Sequence, residues 1–369
     1  MSAPVLPRYG EASLADLLTS VSAPLMGEPS GPIELPDARR YVVLLVDGLG
    51  LNVLRRYADH AEFLSGLLDG AQALTCGVPS TTATSITSLG TGAVPGEHGL
   101  VGYRFREPGT GCIMNALSWD GGPDDVAGFQ PVPTWFERLD AADVGCATVS
   151  LARFVGSGLT RSALRGRRFV PVLGDGEFVE RAELIAHTSR DASLVYAYER
   201  MLDHEGHGFG VGSWQWLDAL AGVDDLATHL REALDDDTCL LITGDHGMIN
   251  VDPEHHIVVE DHPELGGCDL IGGEARFRHL YTRDAGALAA RWQEFLGDRA
   301  WVRTRGEAIQ QGWFGPVAER VAPRIGDVVV AMRGAWAVLT HTHPVEFGLV
   351  GMHGSLTPDE MLVPLLVAP

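Results

Sequence analysis

Seven side chains suited to metal binding or nucleophilic attack lie in five short motifs spread over the whole chain. The motifs are Val-Asp-Gly at Asp47, Pro-Ser-Thr-Thr at Thr82, Asp-His-Glu-Gly-His at Asp203 and His207, Gly-Asp-His-Gly-Met at Asp245 and His246, and Gly-Met-His-Gly at His353. Together they offer three carboxylates, three imidazoles and one hydroxyl. Two divalent metals need about that many ligands, with positions left open for substrate and water. Each motif alone is a weak signal, because an Asp after a strand is more often part of a turn. The whole set predicts a two-metal site.

Buried strands are the elements that must position these side chains. Residues 41–46 form a continuous apolar run that ends at Asp47, a pattern typical of a strand buried on both faces of a parallel sheet. Similar runs occupy residues 144–150, 193–198, 238–243 and 361–367, with helical patterns between them, such as 217–234. This alternation predicts an open α/β sheet with helices on both faces. Ligands in such sheets lie beyond the carboxyl ends of the strands, so we expect Asp47, Asp203 and Asp245 to converge at one edge.

The chain divides into three regions by pattern. Residues 1–40 are rich in Pro, Gly and Ser, carry a short helical pattern at 12–20, and are predicted to form an N-terminal arm. Residues 41–253 and 346–369 are predicted to form the catalytic core. Residues 254–345 interrupt the strand–helix rhythm and are predicted to form a small α+β cap over the site.

Composition restricts the possible partners. The formal net charge is −22 over 369 residues, which argues against a binder of nucleic acid polymers, since such proteins need many basic contacts to phosphates. A small phosphorylated substrate remains possible because bound metals reverse the local potential. The 27 basic residues are all arginine. Any phosphate clamp must therefore come from arginine, metal, backbone N–H groups or hydroxyls.

The surroundings of the protein can also be inferred from its sequence. No apolar run reaches the length of about 18 residues that a membrane span requires, and no basic start followed by an apolar run indicates a secretory signal. The five cysteines are odd in number and form no Cys-x-x-Cys pair, a pattern typical of free thiols in a reducing compartment. We therefore expect a cytoplasmic protein without a membrane partner.

The hydroxyl of Thr82 has two possible roles. The segment Gly77-Val-Pro-Ser-Thr-Thr leads into a predicted helix, and a hydroxyl there can attack a phosphate that the helix N-terminus binds. A threonine at such a position can equally cap the helix. Binding to a metal would lower the pKa of the hydroxyl and favour the role of nucleophile.

These motifs, with Pro95-Gly-Glu-His-Gly-Leu-Val-Gly between them, resemble the alkaline phosphatase superfamily, in its type I phosphodiesterase and nucleotide pyrophosphatase branch. The resemblance implies a three-layer α/β sandwich with a central, mostly parallel sheet and a small α+β cap. It also implies two divalent ions, zinc or manganese, and a catalytic nucleophile, Thr82. One ion would be held by Asp203, His207 and His353, and the other by Asp47, Asp245, His246 and Thr82.

The chain departs from the family pattern where the substrate would bind. The family has an asparagine in contact with a nonbridging phosphate oxygen where this chain has Tyr103, so we expect that contact either to be lost or to be replaced by Tyr103 or Asn115. Arg276 and Arg278 are two apart on a predicted strand and should share one face, so either both face the substrate or neither does. We predict that both face it and bind a second phosphate. The remaining histidines are assigned no ligand role: His98 is expected to be structural, and His204 fits no ligand position.

The resemblance implies a hydrolase, a two-metal phosphodiesterase that acts on a small nucleotide. Within the superfamily, the chain is similar to the actinobacterial phosphodiesterases of cyclic di-AMP, which implies cleavage of that cyclic dinucleotide to pApA and AMP. Two alternatives stay open: a nucleotide pyrophosphatase or phosphomonoesterase of the same superfamily, and a non-catalytic nucleotide-binding sensor.

Overall fold

The fold is built on parallel strands that end at the chemically active motifs. The computed structural model describes residues 3–166, 168–174 and 178–369. The strands are β1 (Arg40–Val46), β2 (Gln72–Thr75), β3 (Arg104–Arg106), β4 (Ile113–Asn115), β5 (Cys146–Leu151), β6 (Arg168–Val172), β7 (Leu194–Glu199), β8 (Thr238–Gly244), β9 (Ile249–Asn250), β10 (His256–Val258), β11 (Leu270–Glu274), β12 (Phe277–Tyr281), β13 (Ala300–Thr304), β14 (Val328–Met332), β15 (Ala337–Leu339), β16 (Gly351–Met352) and β17 (Leu362–Ala368).

The α-helices lie between these strands. They are α1 (Leu14–Leu25), α2 (Leu51–Arg56), α3 (Glu62–Gly66), α4 (Thr82–Thr91), α5 (Pro95–His98), α6 (Val126–Phe129), α7 (Trp135–Ala141), α8 (Gly158–Ala163), α9 (Phe178–Arg190), α10 (Met201–Phe209), α11 (Trp214–Ala233), α12 (Ala285–Leu296), α13 (Arg305–Gln310) and α14 (Pro358–Met361). Among the described residues, no helix is both long enough and apolar enough to cross a membrane.

Seven strands form the central sheet in the order β2-β17-β8-β1-β7-β5-β6. The pairs β8–β1, β1–β7, β7–β5 and β5–β6 are parallel. Strand β17 runs antiparallel to both of its neighbours. The five strands predicted from apolar runs are confirmed with shifts of one or two residues at their ends, and the sheet is mostly parallel, as expected.

Helices cover both faces of this sheet because alternate residues of each strand point to opposite sides. Val43 and Leu45 of β1 pack into one buried cluster with residues of α1, α4 and α7, whereas Val42 and Leu44 pack into another with α9 and α11. The result is a three-layer α/β/α sandwich. The helix predicted within the N-terminal segment is α1, and its Leu14 is fully buried in the first of these clusters.

The segment expected to form a cap contains a four-stranded antiparallel sheet in the order β11-β12-β14-β13. One face of this sheet packs on α12, around Leu280 and Trp292. Phe277 and Val329 on the other face join the same cluster as α1 and α4. The small sheet is therefore buried on both sides and attached to the main sandwich by a shared core. The boundaries 254–345 for the cap and 1–40 for the arm stay predictions.

Candidate active site

Three neighbouring strands bring the acidic residues together. Asp47 follows β1 and Asp245 follows β8, while Asp203 lies in the first turn of α10, which follows β7. Because the order β8-β1-β7 places these strands side by side and parallel, their carboxyl ends meet at one edge. Gly48 permits the close approach: its φ is +77°, and a Cβ there would lie 3.1 Å from the Cα of Asp203.

Thr82 is the first residue of α4, and Thr81 occupies the N-cap position with an extended backbone. The Oγ1 atom of Thr82 lies 3.2 Å from Nε2 of His246, and the side chain is buried. A helix-capping hydroxyl belongs at the N-cap, so the position of Thr82 within the helix and beside a histidine favours the role of nucleophile.

The predicted ligands form two adjoining groups. In one, Nε2 of His246 lies 3.4 Å from Oδ1 of Asp47 and 3.6 Å from Oδ2 of Asp245. In the other, Asp203 lies 3.4 Å from Nε2 of His207 and 3.9 Å from Nε2 of His353. The rings of His246 and His353 are stacked with centroids 3.6 Å apart, so the groups touch. All seven predicted site residues therefore lie in one place.

Backbone carbonyls orient the three histidines. Nδ1 of His207 lies 2.8 Å from the Gly351 oxygen, Nδ1 of His353 lies 2.9 Å from the Ser80 oxygen, and Nδ1 of His246 lies 3.0 Å from the Gly247 oxygen. A carbonyl oxygen only accepts hydrogen bonds, so each Nδ1 must carry the proton. Each Nε2 then presents a lone pair to the carboxylates, which is the arrangement of metal-binding histidines.

The carboxylates are crowded and incompletely paired. Within the described part of the chain, Oδ1 of Asp47, Oδ1 of Asp203 and Oδ2 of Asp245 are buried without a hydrogen-bond partner. Burial, followed by the charges of Asp245 and Asp203, raises the pKa of Asp47 well above its usual value. Burial is also the main cause that raises the pKa of Asp245. Burial and the two neighbouring histidines hold the pKa of His353 well below its usual value. This donor set fits divalent cations, which would supply the missing positive charge.

Two members of the site were not predicted from the sequence. The hydroxyl of Tyr198 donates to Oδ2 of Asp47, and burial together with that carboxylate keeps the pKa of Tyr198 well above its usual value, so it stays a donor. Glu274 reaches the site from β11, with its Oε2 atom 3.7 Å from Nδ1 of His353. Alternation along the strand 193–198 could have indicated the direction of Tyr198, but no local pattern marks Glu274.

Most of these groups line one part of a cavity of about 380 Å³, although Asp245 and His246 are not among its lining residues. The site residues that line it are Asp47, Thr82, Tyr198, Asp203, His207, Glu274 and His353. Its walls are largely apolar and aromatic, and include Ile86, Leu117, Phe154, Leu159, Leu164 and Phe169. Among the described residues, the arginines that line it are Arg104 and Arg200. The cavity thus combines an acidic, metal-binding end with surfaces that suit an organic group such as a nucleobase.

The four predicted substrate-binding residues do not all lie at the cavity. Tyr103 lines the cavity, and Asn115 donates a 3.1 Å hydrogen bond from Nδ2 to the Tyr103 hydroxyl. Arg276 and Arg278 are fully buried and are not among the lining residues of the cavity. Arg276 pairs with Glu360 and immediately precedes β12, whereas Arg278 lies within it.

His98 and His204, which are assigned no ligand role from the sequence, lie in different parts of the structure. His98 is fully buried, where Nδ1 accepts a 3.1 Å hydrogen bond from the Leu100 N–H and Nε2 lies 3.0 Å from the Ser88 hydroxyl. This arrangement agrees with the structural role expected of it. His204 lines the cavity between the two predicted ligands of α10.

Comparisons with known proteins agree with this geometry. The profile of the type I phosphodiesterase / nucleotide pyrophosphatase family matches residues 41–356. No curated protein sequence matches the chain.

Among solved structures, murine ectonucleotide pyrophosphatase / phosphodiesterase 5, in an inactive threonine-to-alanine form with AMP, aligns with a TM-score of 0.67 and 16% identity over 89% of this chain and 87% of that one. Phosphonoacetate hydrolase from Sinorhizobium meliloti 1021, in complex with phosphonoformate, aligns with a TM-score of 0.66 and 18% identity over 90% of each chain. The expected alkaline phosphatase-like fold is confirmed.

Proposed function

The chain belongs to the type I phosphodiesterase / nucleotide pyrophosphatase family, and from this premise we propose that it is a two-metal phosphodiesterase that cleaves a nucleotide phosphodiester with Thr82 as its nucleophile. The family is one of phosphodiesterases and nucleotide pyrophosphatases, and its structural neighbours include an ectonucleotide pyrophosphatase / phosphodiesterase and a phosphonoacetate hydrolase. The family gives the class of enzyme, and the bond, the nucleophile and the substrate are our proposal.

One observation carries the proposal. The hydroxyl of Thr82 lies at the N-terminus of α4, 3.2 Å from Nε2 of His246, where the carboxylate and imidazole groups meet. The N-terminal end of a helix attracts a phosphate through its free N–H groups and its dipole. A phosphate bound there would place its phosphorus beside Oγ1 of Thr82.

The residues of the chain then have defined tasks. Asp203, His207 and His353 would hold one divalent ion, and Asp47, Asp245, His246 and Thr82 the other. Bound ions would lower the pKa of the Thr82 hydroxyl and stabilise charge on the leaving oxygen. Oγ1 of Thr82 would bond to phosphorus as the bond from phosphorus to the ribose oxygen breaks. The Thr82 proton passes to solvent, and the leaving ribose oxygen takes up a proton to become a hydroxyl. Water then hydrolyses the phosphothreonine and restores the hydroxyl. Tyr198 keeps Asp47 oriented throughout by its hydrogen bond.

For the substrate, we propose cyclic di-AMP, cleaved first to pApA and then to AMP. The support is the apolar and aromatic lining of the cavity beside the acidic cluster, which suits adenine as well as phosphate. The murine neighbour binds AMP. Free thiols at Cys76, Cys112, Cys239 and Cys268 favour a cytoplasmic location, where a cyclic dinucleotide signal would be degraded.

Variants of Thr82 test the nucleophile. Thr82→Ala should lower turnover by roughly 10³-fold or more, about 4 kcal/mol of transition-state stabilisation, while Thr82→Ser should retain part of the activity. The matched control is Thr87→Ala in the same helix, because the Thr87 hydroxyl donates only to the Ala83 carbonyl and is not among the lining residues of the cavity. Metal content, measured by elemental analysis, should be unchanged in all three variants. Full activity of Thr82→Ala would show that the nucleophile is another group.

A substrate panel tests the reaction. Wild-type protein with manganese or zinc should turn over cyclic di-AMP faster than a dinucleoside polyphosphate or a phosphomonoester, with products separated by chromatography. Faster cleavage of the polyphosphate or the monoester would favour a pyrophosphatase or a phosphomonoesterase. Tight nucleotide binding without turnover would favour a sensor.

A further inference from the structure

Arg104 is a cation on the cavity wall with unused hydrogen-bonding capacity. It lies in β3, and its guanidinium covers the ring of Tyr103 at 4.6 Å from the ring centroid. Its Nη1 atom is 3.6 Å from Oε1 of Glu346, too far for a hydrogen bond, and makes none within the described part of the chain. Guanidinium donors that are held in place but unsatisfied can bind an anion that enters the cavity.

Glu346 has little capacity left to neutralise Arg104. Arg278 donates to both oxygens of the Glu346 carboxylate and also donates twice to the Val338 carbonyl. Arg278 is fully buried, and the carboxylate it binds is almost so. One carboxylate therefore faces two guanidinium groups, of which Arg278 has the direct hydrogen bonds. Arg278 fixes Glu346 by its hydrogen bonds, whereas Arg104 has only the 3.6 Å ion pair to Glu346 and the stacking contact with the Tyr103 ring.

We propose that Arg104 forms a subsite for a second, non-scissile phosphate of the substrate. The inference rests on the proposed function, because it takes the metal end of the cavity as the place of cleavage. Arg104 lines the same cavity as Thr82, on the β3–β4 hairpin rather than on the metal-binding strands. Arg200 also lines the cavity, but it directly precedes α10, whose first turn carries Asp203, so we assign the subsite to Arg104, which lies on a separate hairpin.

The chemistry of arginine suits this subsite. The planar guanidinium binds a phosphate through two parallel hydrogen bonds, and it stays charged at all relevant pH values. The chain has no lysine that could serve instead. A substrate with two phosphates, such as a cyclic dinucleotide or its linear product, would therefore span the cavity from the metals to Arg104. A simple diester would occupy the metal end only.

The test compares two linear dinucleotides, pApA and ApA, which share the scissile diester and differ by the terminal phosphate. In Arg104→Met, kcat/KM for pApA should fall by about tenfold or more, through KM, because a charge-assisted hydrogen bond is lost. The value for ApA should stay within about twofold of wild type. Arg104→Lys, which keeps the charge without the fork, should lie between the two.

Arg106 provides the matched control. It lies on the same short strand, but its guanidinium covers the ring of Tyr281 at 4.5 Å and donates to the Pro323 carbonyl at 3.0 Å. Arg106→Met should leave both substrates as in wild type. An equal loss on pApA and ApA in Arg104→Met, or no loss on either, would overturn the subsite.

Binding separates this inference from the proposed function. If wild-type protein turned over no dinucleotide, the proposed function would fail, and calorimetric titration with pApA and ApA in manganese would still test the subsite. Wild-type protein should bind pApA about tenfold more tightly than ApA, and Arg104→Met and Arg104→Lys should reduce that preference. Equal affinities of wild-type protein for the two dinucleotides would refute the role of Arg104 even if a variant failed to fold.

Discussion

Two sets of buried carboxylates in this protein differ in whether arginine side chains pair with them. At the ends of β1 and β8, Asp47 and Asp245 are buried with unpaired oxygens. At the junction of the cap and the sandwich, Glu360 is equally buried, but it receives two hydrogen bonds from Arg276 at 3.0 and 2.6 Å. Glu346 is paired with Arg278 in the same manner.

This difference distinguishes carboxylates that maintain the fold from carboxylates that are suited to bind cations. A buried carboxylate with a guanidinium partner and further donors can stay charged without a metal ion. The two pairs connect Arg276, next to β12, and Arg278, within it, to Glu360 and Glu346. A set of buried carboxylates without cationic side chains is stable only if protons or metal ions enter. We therefore attribute fold maintenance to the paired set and cation binding to the unpaired set.

The largest expected effect comes from Asp245→Asn. The amide oxygen can still accept the hydrogen bonds from the N–H groups of Gly48 and His246, at 3.1 and 3.0 Å in wild type, so the fold should persist. Turnover should fall by roughly 10³-fold or more, about 4 kcal/mol, because a charged ligand is lost. In chelator, the variant should be at least as stable to urea as wild type, since repulsion of Asp47 is relieved.

The control for Asp245→Asn is Asp224→Asn, at a partly buried carboxylate that accepts from the N–H groups of Phe63 and Leu64. Its turnover should match that of wild type. Near-normal turnover in Asp245→Asn with added metal would contradict the two-metal assignment. A large loss of stability in chelator would place Asp245 with the structural carboxylates instead.

In contrast to Asp245→Asn, Arg276→Met is expected to lower the stability of the fold. It leaves Glu360 buried without its cation, so the free energy of unfolding should fall by about 3–5 kcal/mol. The double variant with Glu360→Gln removes both charges and should recover at least half of that loss in urea titrations. A raised KM with unchanged stability would instead support the direct role in substrate binding predicted from the sequence.

The sequence predicts the frame of the site better than its supporting contacts. Strand β1 ends at Asp47 in a local apolar pattern, and the convergence of Asp47, Asp203 and Asp245 follows from a general property of parallel sheets. The other four residues of the predicted set, Thr82, His207, His246 and His353, came from motifs that resemble the family, and their roles stay predictions.

The partners of Arg276 and Arg278 could not be predicted from local sequence patterns. Alternation places Arg276 and Arg278 on one side, but whether that side faces substrate or protein depends on Glu360 and Glu346, which lie 84 and 68 residues further along the chain. The contact of Tyr198 with Asp47 spans 151 residues. Such pairings depend on tertiary packing, which no local pattern encodes.

The smallest expected effect is the influence of pH on stabilisation by metal. Because the pKa values of Asp47 and Asp245 are raised above their usual value near 3.8, the folded, metal-free protein keeps protons that the unfolded chain releases. These two groups therefore make the metal-free fold less stable as pH rises from that value through the raised pKa values.

His353 acts in the opposite sense. Its lowered pKa reduces stability as pH falls below 6.5, the usual value for histidine, and leaves the imidazole neutral for metal binding above that pH. Divalent ions would replace the protons on the carboxylates, so the rise in unfolding temperature on adding manganese should be greater at about pH 7.5 than at about pH 5.5, by about 1–2 °C for each additional kcal/mol of binding. Differential scanning fluorimetry with and without manganese measures this difference, and Asp245→Asn should reduce it. An equal or larger rise at the lower pH would mean that the unpaired carboxylates are not where the metal binds.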